Sequence, residues 1–118
     1  MVVEHARPSD QTDLLFHALA DATRRDIVLR VLDGEWSVSA LAREYPMSFA
    51  AVQKHVAVLE RAEIVIKKRR GREQLVTANM DTVRSASRHL EQLEAVWRTR
   101  IDRLGQILSA SPNEGEDA

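Results

Sequence analysis

Between Arg61 and Arg72 the chain carries six bases, Arg61, Lys67, Lys68, Arg69, Arg70 and Arg72, and one acid, Glu63. Five of the six crowd into Lys67–Arg72 around Gly71. Guarding an edge strand against aggregation takes about two or three bases. A denser cluster on a tight turn is suited to a phosphate backbone or a flanking minor groove. A second group lies upstream. With Val52 at zero and about 100° per residue, Val56, Leu59 and His55 fall within about 60° of it. Ala50, Gln53, Lys54, Ala57 and Arg61 fall on the other side, between about 100° and 200°. Alanines let a helix backbone approach a surface closely. Gln53 and Lys54 can then bond base edges in a DNA major groove. Ser48 stands at the start of this helix, where free N–H groups favour a phosphate. Phe49, at about 60°, suits either the core edge or a thymine methyl. His55 reads as a boundary histidine.

Other chemistries find little support. There is no cysteine, so no disulfide, thiolate metal site or cysteine nucleophile can form. The histidines His5, His17, His55 and His89 are scattered, and no glycine-rich phosphate loop is present. Asp13 and His17, one helical turn apart, could hold a cation only weakly. The expectation is a protein that is not an enzyme, with no cofactor and no metal.

These groups need elements to position them. The 118 residues suit one domain, and a hydrophobic share of 44% suffices for a core. The net charge of -1 conceals an asymmetry: residues 1–60 carry -3 and residues 61–118 carry +2. No apolar run approaches the roughly 20 residues of a membrane span. The polar start at Met1–Asp10 lacks a signal-peptide core, so a cytoplasmic location is expected.

Ser9 can cap a first helix whose apolar set, including Leu14, Leu15, Phe16 and Leu19, is too broad for one stripe. Asp21 can cap a second, closed by a left-handed Gly34. Ser37 can cap a short third helix with Val38, Leu41, Ala42 and Tyr45 inward, and Ser48 a fourth that runs to about Ala62. Ile64-Val65-Ile66 and Leu75-Val76-Thr77 then read as a hairpin about Gly71. A last helix runs from near Asn79 to about Ala110. The fold class is therefore mainly α with a small β-hairpin: a winged helix-turn-helix of four helices, a two-stranded wing and a long C-terminal helix.

In that last helix Val83, Ala86, Leu90, Leu93, Trp97, Ile101, Leu104 and Leu108 form nearly a heptad seam with one slip. About 30 residues make about 45 Å of helix, longer than a small domain needs. Leu93, Trp97, Ile101, Leu104 and Leu108 are therefore expected at a homodimer interface, joined by Leu15 and Leu19 of the first helix. A two-fold dimer would set two recognition helices about 34 Å apart, the repeat of a palindromic site on double-stranded DNA. The expected organisation is a flexible stretch over 1–8, a domain over 9–110 with dimerisation helices over 10–20 and 80–109, and a disordered acidic tail over 111–118.

The segments Leu19–Ile27, Val38–Ala42, Met47–Leu59 and the basic hairpin together resemble the ArsR type of winged-helix transcriptional repressor. The resemblance covers about residues 10–108. It implies a homodimer that occupies an operator, with recognition positions at Ser48, Phe49, Ala50, Gln53 and Lys54. Metal-sensing members carry Cys-x-Cys where this chain has Ser37 and Ser39, and serine is a poor ligand for soft metals. Their other site would need a fuller set than Asp81, His89 and Gln92. Glu63 replaces the family's usual glycine at the end of the recognition helix. Two other readings stay open. One is a switch of the same fold answering a metal or an unknown small-molecule effector. The other is a protein-interaction module working through the long helix.

Overall fold

A computed structural model describes residues 10–117, with side chains from 11 to 109. The expected flexible segment over 1–8 and the Ser9 cap lie outside the described residues, as do the side chains of the tail over 111–118. The chain divides into two compact units, one ending at Arg84 and one starting at Ser85.

The first unit contains α1 (Asp10–Leu19), α2 (Ala22–Leu32), β1 (Trp36–Ser37), α3 (Val38–Ala42), α4 (Phe49–Arg61), β2 (Val65–Arg70) and β3 (Glu73–Ala78). A further helix, α5 (Met80–Asp117), starts in this unit and continues into the second. This is the winged helix-turn-helix, with α3 and α4 as the helix pair. Ile27 of α2, Leu41 of α3, Val52, Val56 and Leu59 of α4, and Val76 of β3 are all essentially solvent-free. Each such side chain contributes about 1.5–3 kcal/mol by leaving water.

The sheet has three strands in the order β1-β3-β2, rather than the two expected. Trp36 pairs with Val76 and Ser37 with Leu75. A two-residue strand is too short to show alternation in sequence. It forms because β3 would otherwise have an unpaired edge, and the Trp36 indole N–H anchors it on the Arg30 carbonyl at 3.0 Å. Along β2 and β3 the register runs from Val65 opposite Ala78 to Arg70 opposite Glu73. That leaves the two-residue loop Gly71-Arg72. Gly71 has φ of 62° while Arg72 is not left-handed, the sign pattern of a type II′ hairpin turn.

Two helix ends differ from simple expectation. Gly34 is not left-handed. Helix α2 closes on Asp33 in a right-handed conformation (φ -84°, ψ -13°), whose N–H donates to Arg30 O at 3.1 Å. That tighter turn removes the need for a glycine cap. Tyr45, expected on the inner face of α3, lies beyond its end at Ala42, in the turn toward α4.

Helix α4 ends in a left-handed residue, Glu63, with φ of 62°. The Ile64 N–H donates to Leu59 O at 3.0 Å and the Glu63 N–H to Glu60 O at 2.9 Å. This is a Schellman cap with glutamate at the position that favours glycine. Buried Ile64 locks it from the far side.

Leu15, expected at a dimer contact, is only 4% exposed and belongs to the core of its own unit. Of the apolar set on α1, Leu15 and Ala18 are buried within the chain, while Leu14, Phe16 and Leu19 stay partly exposed. In the second unit α5 continues past the end near Ala110 that the sequence implies. Leu90, Leu93, Trp97, Ile101, Leu104 and Leu108 all stand about half exposed or more. The apparent slip in the seam is regular here. Leu90 and Ile101, Leu93 and Leu104, and Trp97 and Leu108 are each eleven positions apart. A repeat of eleven gives about 3.67 residues per turn, so the stripe stays almost straight along the helix.

Glu63→Gly should stabilise the first unit. It removes about 1–2 kcal/mol of left-handed strain and returns about 0.5–1 kcal/mol through a more flexible unfolded chain. The net expectation is about 0–1.5 kcal/mol, a rise in melting temperature of up to several degrees by circular dichroism. A lower melting temperature would contradict the strain assigned to Glu63.

Candidate nucleic-acid interface

Three N-caps build the framework as the sequence indicates. Asp21 accepts from the Arg24 N–H at 3.0 Å, Ser37 from the Ala40 N–H at 3.0 Å and Ser48 from the Ala51 N–H at 3.1 Å. The Arg24 N–H bond is the main reason the Asp21 carboxyl titrates below its usual range.

Helix α4 contacts α1, α2, α3 and β2. Val52, Val56 and Leu59 supply its buried edge. Ala50, Gln53, Lys54, Ala57 and Arg61 are exposed on the other side, with Ser48 exposed at its start. Phe49 remains 47% exposed. No acid occurs from Ser48 to Leu59. The first, Glu60, lies 3.6 Å from Lys67 Nζ on β2.

The wing bases are not equivalent. Lys67 is half-buried and paired with Glu60, and Arg70 Nη1 approaches Glu35 Oε1 at 3.4 Å. On the outer face of α4 and the wing, Lys54, Arg61, Lys68, Arg69 and Arg72 have no carboxylate partner among the described residues. These five are the charges ready for a polyanion. The dense run in sequence gave no sign that two of its members are partly neutralised, because Glu60 and Glu35 come from other elements.

Behind this surface lies a polar network that sequence patterning missed. The Arg30 guanidinium sits 5.5 Å from the ring centres of both Trp36 and Tyr45. Its Nε lies 2.9 Å from Asp26 Oδ2 and 3.1 Å from Tyr45 Oη, and Nη1 lies 3.2 Å from Glu44 Oε1. The Tyr45 hydroxyl donates to Asp26 Oδ2 at 2.6 Å. The network joins α2 to β1 and to the turn that precedes α4. A short i,i+4 Asp-Arg spacing was its only local sign. The Tyr45 hydrogen bond, followed by that of Arg30, holds the Asp26 carboxyl below its usual range. Partial burial, and then the Asp26 carboxylate, push the Tyr45 phenol up to about 12.

Arg24 links other elements. Its Nε donates to Ala18 O at 2.8 Å and its Nη2 to His17 O at 3.3 Å, capping α1. Its Nη1 meets His55 Nδ1 of α4 at 3.2 Å. A guanidinium only donates, so Nδ1 accepts and the imidazole proton sits on Nε2. His55 is thus committed to the boundary between α2 and α4. Gln11 of α1 donates to Ala62 O at the end of α4 at 3.2 Å.

Comparison with other proteins places this geometry. No family model matches the sequence. The HTH-type transcriptional regulator Rv2034 of Mycobacterium tuberculosis is 32% identical over 105 residues, spanning 89% of this chain and 92% of that protein. The ArsR-like transcriptional regulator from Rhodococcus sp. RHA1 superposes with a TM-score of 0.72 at 30% identity, over 85% of this chain and 94% of that one. The chain belongs to the ArsR family. Its members here are transcriptional regulators rather than enzymes. A further structural relative is the homodimeric winged helix-turn-helix DNA-binding domain, fragment 1–100, of Mb0332 from Mycobacterium bovis. It matches with a TM-score of 0.64 at 26% identity, over 76% of this chain and 82% of that domain. None of the described helices of this ArsR-family chain is long and apolar enough to cross a membrane.

Tyr45 is the only tyrosine, so its ionisation can be followed directly. Tyrosinate absorbance of the folded protein should rise near pH 12 rather than near 10. The phenol is favoured in the folded state. Its contribution to stability is therefore complete below pH 10 and is lost as pH climbs toward about 12. Asp26 acts at the other end, its contribution lost as pH falls below the ordinary carboxylate range. A folded-state tyrosinate transition at pH 10 would contradict the network.

Proposed function

We propose that the protein is a homodimeric, sequence-specific DNA-binding repressor that acts in the cytoplasm and occupies a palindromic operator. The observation that carries this reading is the presence of an acid-free exposed helix face and unpaired wing bases on one compact unit. The outer face of α4 and the unpaired wing bases Lys68, Arg69 and Arg72 belong to the same compact unit, in which α4 contacts β2. Gln53 and Lys54 address base edges across a face kept low by Ala50 and Ala57. Ser48 has spent an acceptor lone pair on its cap, and its hydroxyl proton is left to donate to a phosphate. The wing charges hold the flanking backbone, with Lys67 and Arg70 contributing less because each already has a carboxylate neighbour. The exposed stripe of α5, from Leu93 to Leu108, pairs with its copy, and Leu19 of α1 is a second dimer contact. The homodimeric state of the Mycobacterium bovis relative supports this pairing.

A duplex selected from a random pool tests the proposal by fluorescence anisotropy across a salt series. The expected result is two chains per duplex and a steep slope, about 0.9 in log affinity per log salt for each phosphate neutralised. Changing Lys68, Arg69 and Arg72 together to alanine should weaken all sequences alike and flatten that slope by about 0.9 for each phosphate no longer neutralised. An unchanged slope would remove the wing from the interface, and one chain per duplex would remove the dimer.

A further inference from the structure

We infer that Phe49 reads the 5-methyl group of a thymine in the major groove, next to the base pair addressed by Gln53. This assignment rests on the DNA-binding reading above and names the base feature at one position of it.

A single exposed phenylalanine is ordinary on a protein surface. Phe49 differs in its surroundings. It is the first residue of α4, beside the exposed Ser48 cap, and it leaves nearly half of its surface in water. The same helix buries Val52 completely. The core therefore had an apolar position to fill and filled it with valine, leaving the larger ring outside. Phe49 and Gln53 are four residues apart, so they stand one above the other on the helix surface. Their separation along the axis is about 6 Å, within two base-pair steps of about 3.4 Å. The neighbouring Ala50 and Ala57 leave no longer side chain to hold the helix away from the groove. No carboxylate occurs between Ser48 and Leu59 to repel it.

The floor of a major groove presents hydrogen-bonding atoms at every base pair. Its one apolar group is the thymine methyl. A phenyl ring brought against any other base edge would strip water from a polar atom and return no hydrogen bond. Against a methyl it buries apolar surface on both partners. Gln53 is suited to an adenine through paired bonds to N6 and N7. The two residues together therefore specify an A·T-rich step in each half-site.

The test uses a duplex selected from a random pool by the full chain, and the same duplex with each thymine in turn replaced by deoxyuridine. That change deletes only the methyl group. For the unaltered protein one thymine per half-site should be sensitive, losing about four-fold in affinity, the worth of one buried methyl. Phe49→Ala should bind more weakly and be indifferent to that replacement. Phe49→Leu, which keeps an apolar side chain, should retain part of the sensitivity. Thermal melts of both variants establish that each is folded. Indifference of the unaltered protein to every deoxyuridine overturns the assignment, as does full sensitivity retained by Phe49→Ala. In either case DNA binding itself stands. Failure to select any duplex overturns the DNA-binding reading, and this inference with it.

Discussion

The rotation of α4 about its own axis governs everything at the surface of the first unit. Val52, Val56 and Leu59 are withdrawn from water on one edge, so Gln53 and Lys54 must emerge on the other. Turning the helix by one residue, about 100°, would carry Val52 and Val56 toward solvent and drive the Gln53 amide into an apolar core. A buried unpaired amide or charge costs at least a few kcal/mol, a large share of the total stability of a domain this size. The chemical character of the outer face is thus fixed by the packing of the inner one.

Arginine side chains set where that helix lies. Arg24 gathers two carbonyls at the end of α1 and the ring of His55 on α4. Arg30 is held between two aromatic rings and three oxygen partners drawn from α2 and the turn before α4. The partners of both arginines lie on the elements that carry the reading surface or pack beside them. Both act on it by holding the elements that carry it. The Schellman cap at Glu63 then turns the chain from α4 into β2, and so fixes the place where the wing begins. The left-handed glutamate stores strain at that junction between the reading helix and the wing.

Local signals carried much of this into the sequence. Asp21, Ser37 and Ser48 each precede an apolar periodic run, and each accepts the backbone bond that its type and place imply. The 3.6-residue spacing separated the two faces of α4, and Gly71 marked the hairpin turn. What stayed hidden depends on partners distant in the chain. Trp36 and Ser37 form a strand only because β3 offers an edge. Tyr45 looks like a fourth apolar residue of α3 until Asp26 and Arg30 are seen to hold its hydroxyl. Leu15 cannot be told from a dimer contact by spacing alone, since burial within a chain and between chains uses the same residue types. Lys67 and Arg70 read as free charges because the acids facing them lie on α4 and beside β1. Gly34 carried a familiar stop signal that α2 met with a tighter turn at Asp33.

The second unit contributes a stripe and the first a reading face, and DNA recognition requires that this face of α4 meets the duplex. The absence of cysteine allows a direct measurement of that meeting. Single cysteines placed by Ala50→Cys, Gln53→Cys, Lys54→Cys and Ala57→Cys, with Asp33→Cys as an exposed control, would be reacted with a thiol reagent with and without a saturating selected duplex. All five should react quickly in the free protein, and the duplex should shield the four on α4 while sparing position 33. Four α4 thiols that react equally fast with and without bound duplex would contradict the assignment of α4 as the reading helix.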